Sequence, residues 1–307
     1  MIVILLSVYN GSCYLDELLD SIQKQSYEQW SLLVRDDDSL DGSSNLVKKF
    51  ANKNLNKVIL SANKQNLGVK RSFGELIKMV IQQNKKDNYF MFADQDDYWL
   101  KKKVEKTYQK MQELESIYGK DIPILVHSNL TVVDEKLNIL APSFWKYQHI
   151  DPSKDSLNRL LLHNTVTGCT MMINRALAEK IKNIPHEAIM HDWWVAMVAS
   201  AFGKIAYIDE SLMLYRQHGK NDTGAKQYGL RYFIKKFFAK PSLAKYIHQS
   251  KAFLALYGHE LDEYHKSMLE EFSSFDGLSK FQKLRVLFKY KIWKSGFMRN
   301  IGLIFFA

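Results

Sequence analysis

Strand-like and helix-like patterns alternate through the first half of this 307-residue chain, and the alternation restricts the folds open to it. Short apolar runs predict strands, whereas apolar residues three and four positions apart predict helices. The predicted strands are Ile2–Val8, Leu32–Val34, Val58–Leu60, Tyr89–Ala93 and Ile124–His127. Helical spacing is kept between them by Leu15, Leu18, Leu19 and Ile22, and by Phe73, Leu76, Ile77 and Val80. The pattern predicts βαβ crossovers, and therefore an α/β fold with a mostly parallel, Rossmann-like sheet flanked by helices.

The second half of the chain is less regular. The elements predicted there are a strand at Cys169–Ile173, a helix over about Asp192–Ala201 and short strands around Ile205 and Leu212. Beyond Lys226, basic and aromatic helical patterns predominate. The length and this change of composition predict one sizeable domain followed by a basic helical C-terminal appendage.

Polar and acidic clusters stand directly after three of the predicted strands. They read Ser7-Val8-Tyr9-Asn10-Gly11, Arg35-Asp36-Asp37-Asp38-Ser39 and Asp94-Gln95-Asp96-Asp97. A single Asp or Asn in a turn often caps a helix, but capping does not explain three such clusters. Ligands of open α/β sheets bind beyond the carboxyl ends of the strands, so we expect these clusters to form a site.

The cluster around Asp94 and Asp96 predicts a divalent metal. Aspartates that share a short turn repel one another unless a cation lies between them, and hard oxygen ligands suit Mg²⁺ or Mn²⁺ rather than zinc. Mg²⁺ completes its coordination with phosphate oxygens and water, which fits a site formed around a diphosphate. The chain has neither a dinucleotide-binding glycine fingerprint nor a P-loop.

The formal net charge of +10 is concentrated near the C-terminus. From residue 226 onward, 15 Lys or Arg residues stand against 6 Asp or Glu residues, so the first 225 residues are nearly neutral. This distribution argues against a basic nucleic-acid channel, and we expect no nucleic acid among the partners.

Cysteine usage and the N-terminal residues predict a cytoplasmic protein. Cys13 and Cys169 are the only cysteines and lie far apart, which gives no disulfide framework and no paired metal motif. The first eight residues are apolar, but a polar turn follows them at once, so we expect a buried strand rather than a signal peptide. No apolar run approaches the length that spans a bilayer.

These motifs resemble family 2 glycosyltransferases of the GT-A fold. The resemblance rests on the first two clusters, on the Asn66-x-Gly68 turn and on Asp94-Gln95-Asp96-Asp97-x-Trp99. The chain is more closely similar to the rhamnosyltransferases of streptococcal rhamnan wall polysaccharide synthesis. The stretches that carry this closer similarity are Asn164-Thr165-Val166-Thr167-Gly168, His191-Asp192-Trp193-Trp194 and Leu214-Tyr215-Arg216-Gln217-His218. Asp38 and Cys169 depart from the pattern, since the closest relatives usually have glycine at both positions.

The resemblance implies two functional halves and a tail: a catalytic domain over 1–225, with a nucleotide-sugar-binding half at about 1–128 and an acceptor-binding half at about 129–225, then the basic region 226–307. It implies that Tyr9 stacks on the base, that Asp37 accepts the base imide N–H and that Arg71 contacts the base or the diphosphate. The other implied roles are nucleotide-sugar binding by Ser7, Asn10, Asp94 (near the ribose) and Arg216 (at the diphosphate), metal binding by Asp96 and His218, and acceptor binding by Gly168, Cys169, His191, Trp193 and Trp194.

Asp192 is the predicted catalytic base. It stands at the start of an apolar helix, so capping alone could explain it. The aromatic residues His191, Trp193 and Trp194 surround it, and such a setting packs against sugar faces and raises a carboxyl pKa toward the range of a base. The resemblance implies that this aspartate deprotonates the acceptor hydroxyl in an inverting displacement.

The tail has seven Lys or Arg residues between Lys280 and Arg299 and no acidic residue after Asp276. Apolar residues lie among them, which is the composition of a helix that lies in a membrane interface. The alternative is a helix packed on the catalytic domain with a solvated basic face. The first interpretation predicts a protein bound peripherally to the anionic inner face of the bacterial membrane.

The sequence therefore predicts an inverting glycosyltransferase. The favoured donor is dTDP-β-L-rhamnose and the favoured acceptor is a lipid-linked glycan. One alternative is a UDP-hexose or UDP-N-acetylhexosamine transferase, because base and metal residues do not identify the sugar. Another is a nucleotide-sugar-binding protein without catalysis, which has no need of Asp192.

Overall fold

The computed structural model describes residues 1–63, 65–83, 88–181, 183–219 and 242–306. Within these ranges, nine strands form one sheet in the order β3-β2-β1-β4-β8-β6-β9-β5, with β7 paired to β6. The strands are β1 Ile2–Val8, β2 Trp30–Asp36, β3 Val58–Ala62, β4 Tyr89–Asp94, β5 Tyr98–Trp99, β6 Ile124–Val133, β7 Ile139–Ala141, β8 Met172–Asn174 and β9 Lys204–Arg216.

Six strands, β1, β2, β3, β4, β6 and β9, run in the same direction. The first four are hydrogen-bonded as parallel neighbours, and β8 then runs antiparallel between β4 and β6. Because β6 and β9 are parallel to each other, the six carboxyl ends lie along one edge. The predicted α/β fold with a mostly parallel sheet is confirmed.

Helices cover both faces of the sheet. Alternate residues of β1 point to opposite faces: Ile4 and Leu6 join one apolar core, and Val3 and Leu5 join the other. The first core packs against α1 Leu15–Gln23, α2 Ser43–Lys53 and α4 Lys103–Tyr118. The second core packs against α3 Val69–Gln83, α7 Arg175–Ile181 and α8 His191–Phe202. The predicted spacings at residues 15–22 and 73–80 are the buried faces of α1 and α3.

Two short predictions in the second half are corrected. Cys169 and Thr170 belong to a 3₁₀ turn at Gly168–Thr170, and only the last part of the predicted strand is β8. The strands expected around Ile205 and Leu212 are one long strand, β9, whose pairing with β6 shifts register near Asn129. Two short helices, α5 Phe144–Gln148 and α6 Leu157–Leu160, connect this half.

Four helices form the described part of the tail: α9 Ala244–Tyr257, α10 Glu263–Ser273, α11 Lys280–Lys289 and α12 Phe297–Phe306. They pack on the second core, to which Phe253, Leu269, Leu287 and Leu303 contribute buried side chains. The boundary predicted between residues 225 and 226 lies outside the described residues. Within the described ranges, no helix combines the length and the apolar character needed to cross a bilayer.

Candidate active site

The parallel register brings the strand-end residues together at one edge. Ser7 on β1 lies beside Arg35 on β2 and beside Asp94 on β4. Its Oγ donates to Ser72 Oγ at 2.7 Å, which ties the end of β1 to α3. Tyr9 follows β1 and is 47% exposed, so its ring is accessible for the predicted stacking on a base.

Gln95 joins the ends of β1 and β4 through both atoms of its amide. Gln95 Oε1 accepts a hydrogen bond from Tyr9 N at 2.8 Å, and Gln95 Nε2 donates to Tyr9 O at 2.9 Å. A Cβ at Gly11 would lie 2.3 Å from Gln95 Oε1, so a larger residue there would displace the Gln95 side chain. The amide of Gln95 therefore fixes the turn after β4, where a metal is predicted, relative to the turn after β1, which carries Tyr9.

Asn10 and Asp38 have the positive φ that favours glycine, 47° and 72° respectively. Asn10 Oδ1 accepts from Leu40 N at 2.9 Å and its own N–H donates to Ser39 Oγ, so these two turns support each other. The left-handed backbone at Asp38 is a position that favours glycine, and Asp tolerates this region better than most residues.

Asp37 is buried and its carboxylate is already hydrogen-bonded. Arg35 Nη1 donates to Oδ1, and the N–H groups of Leu67 and Gly68 donate to Oδ2 at 3.0 and 2.8 Å. These bonds anchor the turn before α3 to the end of β2. The predicted contact with a base N–H requires this turn to move, and it stays a prediction.

Arg71 is exposed in the first turn of α3. It lines an open groove with Gly68, Lys70 and His186, close to the turn held by Asp37. Lys70 donates to the carbonyl oxygens of His186 and Ala188, so Arg71 is the more open of the two cations. This position is compatible with the predicted contact to the base or the diphosphate.

A cluster of titratable side chains lies at the turn after β4, where a metal is predicted. Single ligand atoms of Asp94, Asp97 and Cys169 all lie within 4.8 Å of one another. Burial and the neighbouring Asp96 raise the pKa of Asp94 to about 7 and that of Asp97 well above its ordinary value. Burial likewise raises the pKa of the Cys169 thiol. The Cys169 thiol is fully buried, and the acceptor role predicted for Cys169 stays a prediction.

Lys103 is the buried cation of this cluster. Its Nζ donates to the carbonyl oxygen of Cys169, contacts Met213 Sδ at 3.0 Å and lies 4.1 Å from the Trp99 ring centroid. Burial lowers the pKa of Lys103 to about 8, whereas the charges of Asp97 and Asp94 oppose that shift. The ammonium thus offsets the buried carboxyls and links α4, the 3₁₀ turn and β9.

Asp96 and His218, the predicted metal ligands, lie side by side, and their metal role stays a prediction. His218 Nε2 lies 2.8 Å from Asp96 Oδ2, and the His218 ring stacks on Tyr14 with centroids 5.0 Å apart. A carboxylate oxygen and an imidazole nitrogen side by side near the surface fit a divalent ion such as Mn²⁺. The pair joins the end of β9 to the turn after β4.

Arg216 is positioned differently from the expectation. It is 1% exposed; its Nε donates to Asp96 O at 2.9 Å, its Nη2 donates to Glu17 Oε2 and its guanidinium lies over the Tyr14 ring. The guanidinium is thus engaged inside the protein and is not presented to a diphosphate. Arg216 supports the main chain of Asp96, and its predicted diphosphate contact stays a prediction.

Asp192 lies at the first turn of α8 and binds two backbone N–H groups. Trp193 N donates to Oδ1 at 2.6 Å and Gly168 N donates to Oδ2 at 3.1 Å. Burial raises the pKa of Asp192 to about 6, although both hydrogen bonds favour the charged form. Its carboxyl is therefore set near the working range of a general base.

The aromatic residues around Asp192 divide into two groups. Trp194 is fully buried against Phe253 and Tyr257 of α9, and His191 is buried against Phe73. Burial lowers the pKa of His191 to about 3, so the ring is neutral. Neither side chain reaches solvent, and the acceptor contacts predicted for His191 and Trp194 stay predictions.

Gly168 is buried beside Asp192, and the acceptor roles of Gly168 and Trp193 stay predictions. A Cβ at Gly168 would lie 2.8 Å from His191 Nε2, so a larger residue there would press on the buried His191 ring. Trp193 is half-buried, and its Nε1 donates to Leu160 O at 2.6 Å. This bond holds one ring beside the carboxyl of Asp192.

Comparison with known proteins agrees with this geometry. The family profile described as "Glycosyl transferase family 2" matches residues 3–182. A dTDP-rhamnosyl transferase of Shigella flexneri, RfbG, is 28% identical over 230 residues, which are 72% of this chain and 74% of the relative.

Two solved structures share the fold. The crystal structure of S. aureus TarS in complex with UDP-GlcNAc has a TM-score of 0.58 at 17% identity, covering 94% of this chain and 80% of the TarS chain. The mannosyltransferase PcManGT from Pyrobaculum calidifontis, in complex with GDP-Man and Mn²⁺, has a TM-score of 0.55 at 13% identity. It covers 99% of this chain and 85% of its own. The expected GT-A architecture is confirmed.

The raised pKa of Asp192 predicts a loss of stability as the pH rises. Between its ordinary pKa of 3.8 and its folded value of about 6, the folded state binds more protons than the unfolded state. The stabilisation contributed by the Asp192 carboxyl is therefore complete below pH 3.8 and is lost as the pH rises through about 6. We expect Asp192→Asn to raise the free energy of unfolding at pH 8 by about 1–3 kcal/mol and to have little effect at pH 4.

Urea denaturation at pH 4, 6 and 8 measures this difference. The matched control is Asp209→Asn on β9, where the carboxyl is exposed and the substitution should change little at any of the three pH values. Equal stability of Asp192→Asn and the parent at pH 8 would show that the charged carboxylate is not strained by burial.

Proposed function

The chain belongs to glycosyl transferase family 2, and from that premise we propose that it is an inverting transferase that moves a sugar from a nucleoside diphosphate to an acceptor hydroxyl. The observation that carries the proposal is the sequence-adjacent pair Gly168 and Cys169. Gly168 N–H binds the carboxyl of Asp192, while the Cys169 thiol lies against Asp94 and Asp97. One turn thus holds the base next to the acidic strand end, as a single displacement requires.

Asp192 takes the proton in the proposed reaction. The acceptor oxygen attacks the anomeric carbon, the bond from that carbon to the diphosphate oxygen breaks, and the hydroxyl proton passes to the Asp192 carboxylate. The N–H groups of Gly168 and Trp193 hold that carboxylate in place. A single base suffices, in contrast to the paired carboxylates of a retaining hydrolase.

Asp96 and His218 are the residues that we propose hold a divalent ion, Mg²⁺ or Mn²⁺. The ion, when bound, neutralises charge on the leaving diphosphate. The structurally similar mannosyltransferase was solved with Mn²⁺, which supports this assignment. Arg216, Glu17 and Tyr14 fix the turn that carries Asp96.

The donor that we propose is dTDP-β-L-rhamnose. Its support is the similarity to the Shigella dTDP-rhamnosyl transferase over most of the chain. A UDP-hexose or UDP-N-acetylhexosamine is the second candidate, because the structurally similar TarS binds UDP-GlcNAc. For the acceptor we propose a lipid-linked glycan, reached at the cytoplasmic face of the cell membrane, where the basic tail would meet anionic lipid.

The metal assignment predicts that transfer requires Mg²⁺ or Mn²⁺ and that Asp96→Ala abolishes it. The fold should survive, because Arg216 binds the main-chain oxygen of Asp96, which the substitution keeps. Transfer is measured with and without excess EDTA, and thermal unfolding checks the fold. Asp121→Ala, at an exposed turn, is the control. Full activity in EDTA would contradict the metal assignment.

The base assignment predicts that Asp192→Asn binds donor normally but transfers sugar about a hundred- to ten-thousand-fold more slowly. Asn keeps the volume, and its one amide oxygen can accept one of the two backbone hydrogen bonds, but the amide cannot accept a proton at neutral pH. Calorimetric donor affinity and single-turnover transfer are measured together, with Asp209→Asn as the control. Near-parental transfer would mean that another group takes the proton. Donor binding by the parent without any transfer would instead favour the non-catalytic alternative.

A further inference from the structure

The last helix of the described chain, α12, presents its apolar side to solvent. Successive residues are rotated by about 100°, so residues 297, 298, 301 and 304 share one face. All four are exposed apolar side chains: Phe297, Met298, Ile301 and Ile304. The opposite face carries Arg299 and the buried Leu303. The helix is thus anchored by a narrow inner stripe and exposes a wide apolar one.

The neighbouring helix α11 has the same arrangement. Val286 and Leu287 are buried on its inner side, whereas Phe281 and Phe288, seven positions apart, are exposed on its outer side. Arg285 lies on that outer side as well. Phe281 and Phe297 are 78% and 79% exposed, which is far more than packing against the protein's own core leaves.

The two helices lie close to each other at one end. Lys280 Nζ, at the start of α11, donates to Phe305 O near the end of α12 at 3.1 Å. We call the exposed outer residues of the two helices together the outer apolar surface: Phe281, Arg285, Phe288, Phe297, Met298, Ile301 and Ile304. Exposed large apolar side chains in such number mark an interaction site.

Charge identifies the occupant. Seven Lys or Arg residues lie between residues 280 and 299, and no Asp or Glu follows Asp276. Lys289 pairs with Glu271 and Arg299 donates to carbonyl oxygens of the inner side, which leaves five cations to face a partner. A second copy of the chain would bring the same positive charges against one another, because a twofold interface pairs a patch with itself. An anionic lipid surface instead offers phosphates to the cations and an acyl boundary to the Phe side chains.

A chain of contacts links Trp193, the neighbour of Asp192, to the connection between α11 and α12. The Trp193 ring, next to Asp192, packs against Tyr246 with centroids 5.7 Å apart. Lys294 Nζ, in the connection between α11 and α12, lies 5.1 Å from the same Tyr246 ring. Two side-chain contacts therefore separate the base from the helix pair.

We propose that the outer apolar surface inserts into the interface of an anionic bilayer and so presents a membrane-borne acceptor to Asp192. Insertion into the bilayer is argued from the helix faces and the charges alone. Presentation of an acceptor to Asp192 rests on the proposed function. Helices α9, α10, α11 and α12 share the second apolar core with the catalytic domain. Binding at the outer apolar surface therefore also sets the orientation of the site.

The test uses the full chain carrying Phe281→Gln, Phe288→Gln and Phe297→Gln together. Binding to vesicles of phosphatidylcholine with phosphatidylglycerol is measured by flotation, and we expect it to weaken about tenfold or more, because each Phe loses its apolar contact with the interface. The matched control is Leu55→Gln, Ile117→Gln and Ile139→Gln, three exposed aliphatic residues outside the tail, which should bind as the parent does. The parent should lose binding when phosphatidylglycerol is omitted.

Transfer is then measured to a vesicle-anchored acceptor and to a water-soluble one. The triple Phe variant should lose transfer to the anchored acceptor and keep transfer to the soluble one. Unchanged vesicle binding by this variant, or no binding of the parent to anionic vesicles, would overturn the proposal. A parental dimer in sedimentation that the substitutions dissociate without a change in vesicle binding would also overturn it. Normal vesicle results without any transfer by the parent would overturn the proposed function and leave the surface assignment standing.

Discussion

Compensation of carboxyls buried at one edge of the sheet is the constraint on which the site depends. A buried charge is tolerated only where a partner or hydrogen bonds replace water. Asp37 has Arg35 and two backbone N–H groups, Asp192 has two more, and Asp94 shares the ammonium of Lys103 with its neighbours. Arg35 and the Trp193 N–H are local partners, but Gly68, Gly168 and Lys103 come from distant segments, so full compensation requires the assembled sheet and its helices.

The sequence predicted the parts of the site that strand ends determine. Asp94, Asp96 and Ser7 were expected at a common edge because apolar runs precede them and parallel strands share direction, and the registers confirm that placement. Residue type did not determine which way a side chain points. Arg216 and Trp194 were expected at the ligand and lie inside the protein, since cation and indole serve packing as readily as binding.

Two supporting residues were missed for a related reason. Lys103 ends a run of three lysines that reads as a solvated helix start, and only the assembled fold places its ammonium among carboxyls. Gln95 lies within the acidic motif, but its bonds to Tyr9 depend on the pairing of β1 with β4. For the tail, the sequence left two alternatives, helices packed on the catalytic domain and helices facing a membrane. In the structure, α11 and α12 each have a packed apolar face and an exposed apolar face, because both helices are apolar on more than one side.

Inverting sugar transfer at the edge formed by Asp192 and Asp96 is the central claim, and the stereochemistry of the product tests it most directly. Purified protein is incubated with dTDP-β-L-rhamnose, a divalent ion and a synthetic acceptor. The anomeric configuration of the new glycosidic bond is then determined by NMR. A single base beside one metal pair predicts an α-linked product, the inverted configuration. A β-linked product would contradict the single-displacement account, because retention requires a second nucleophilic step.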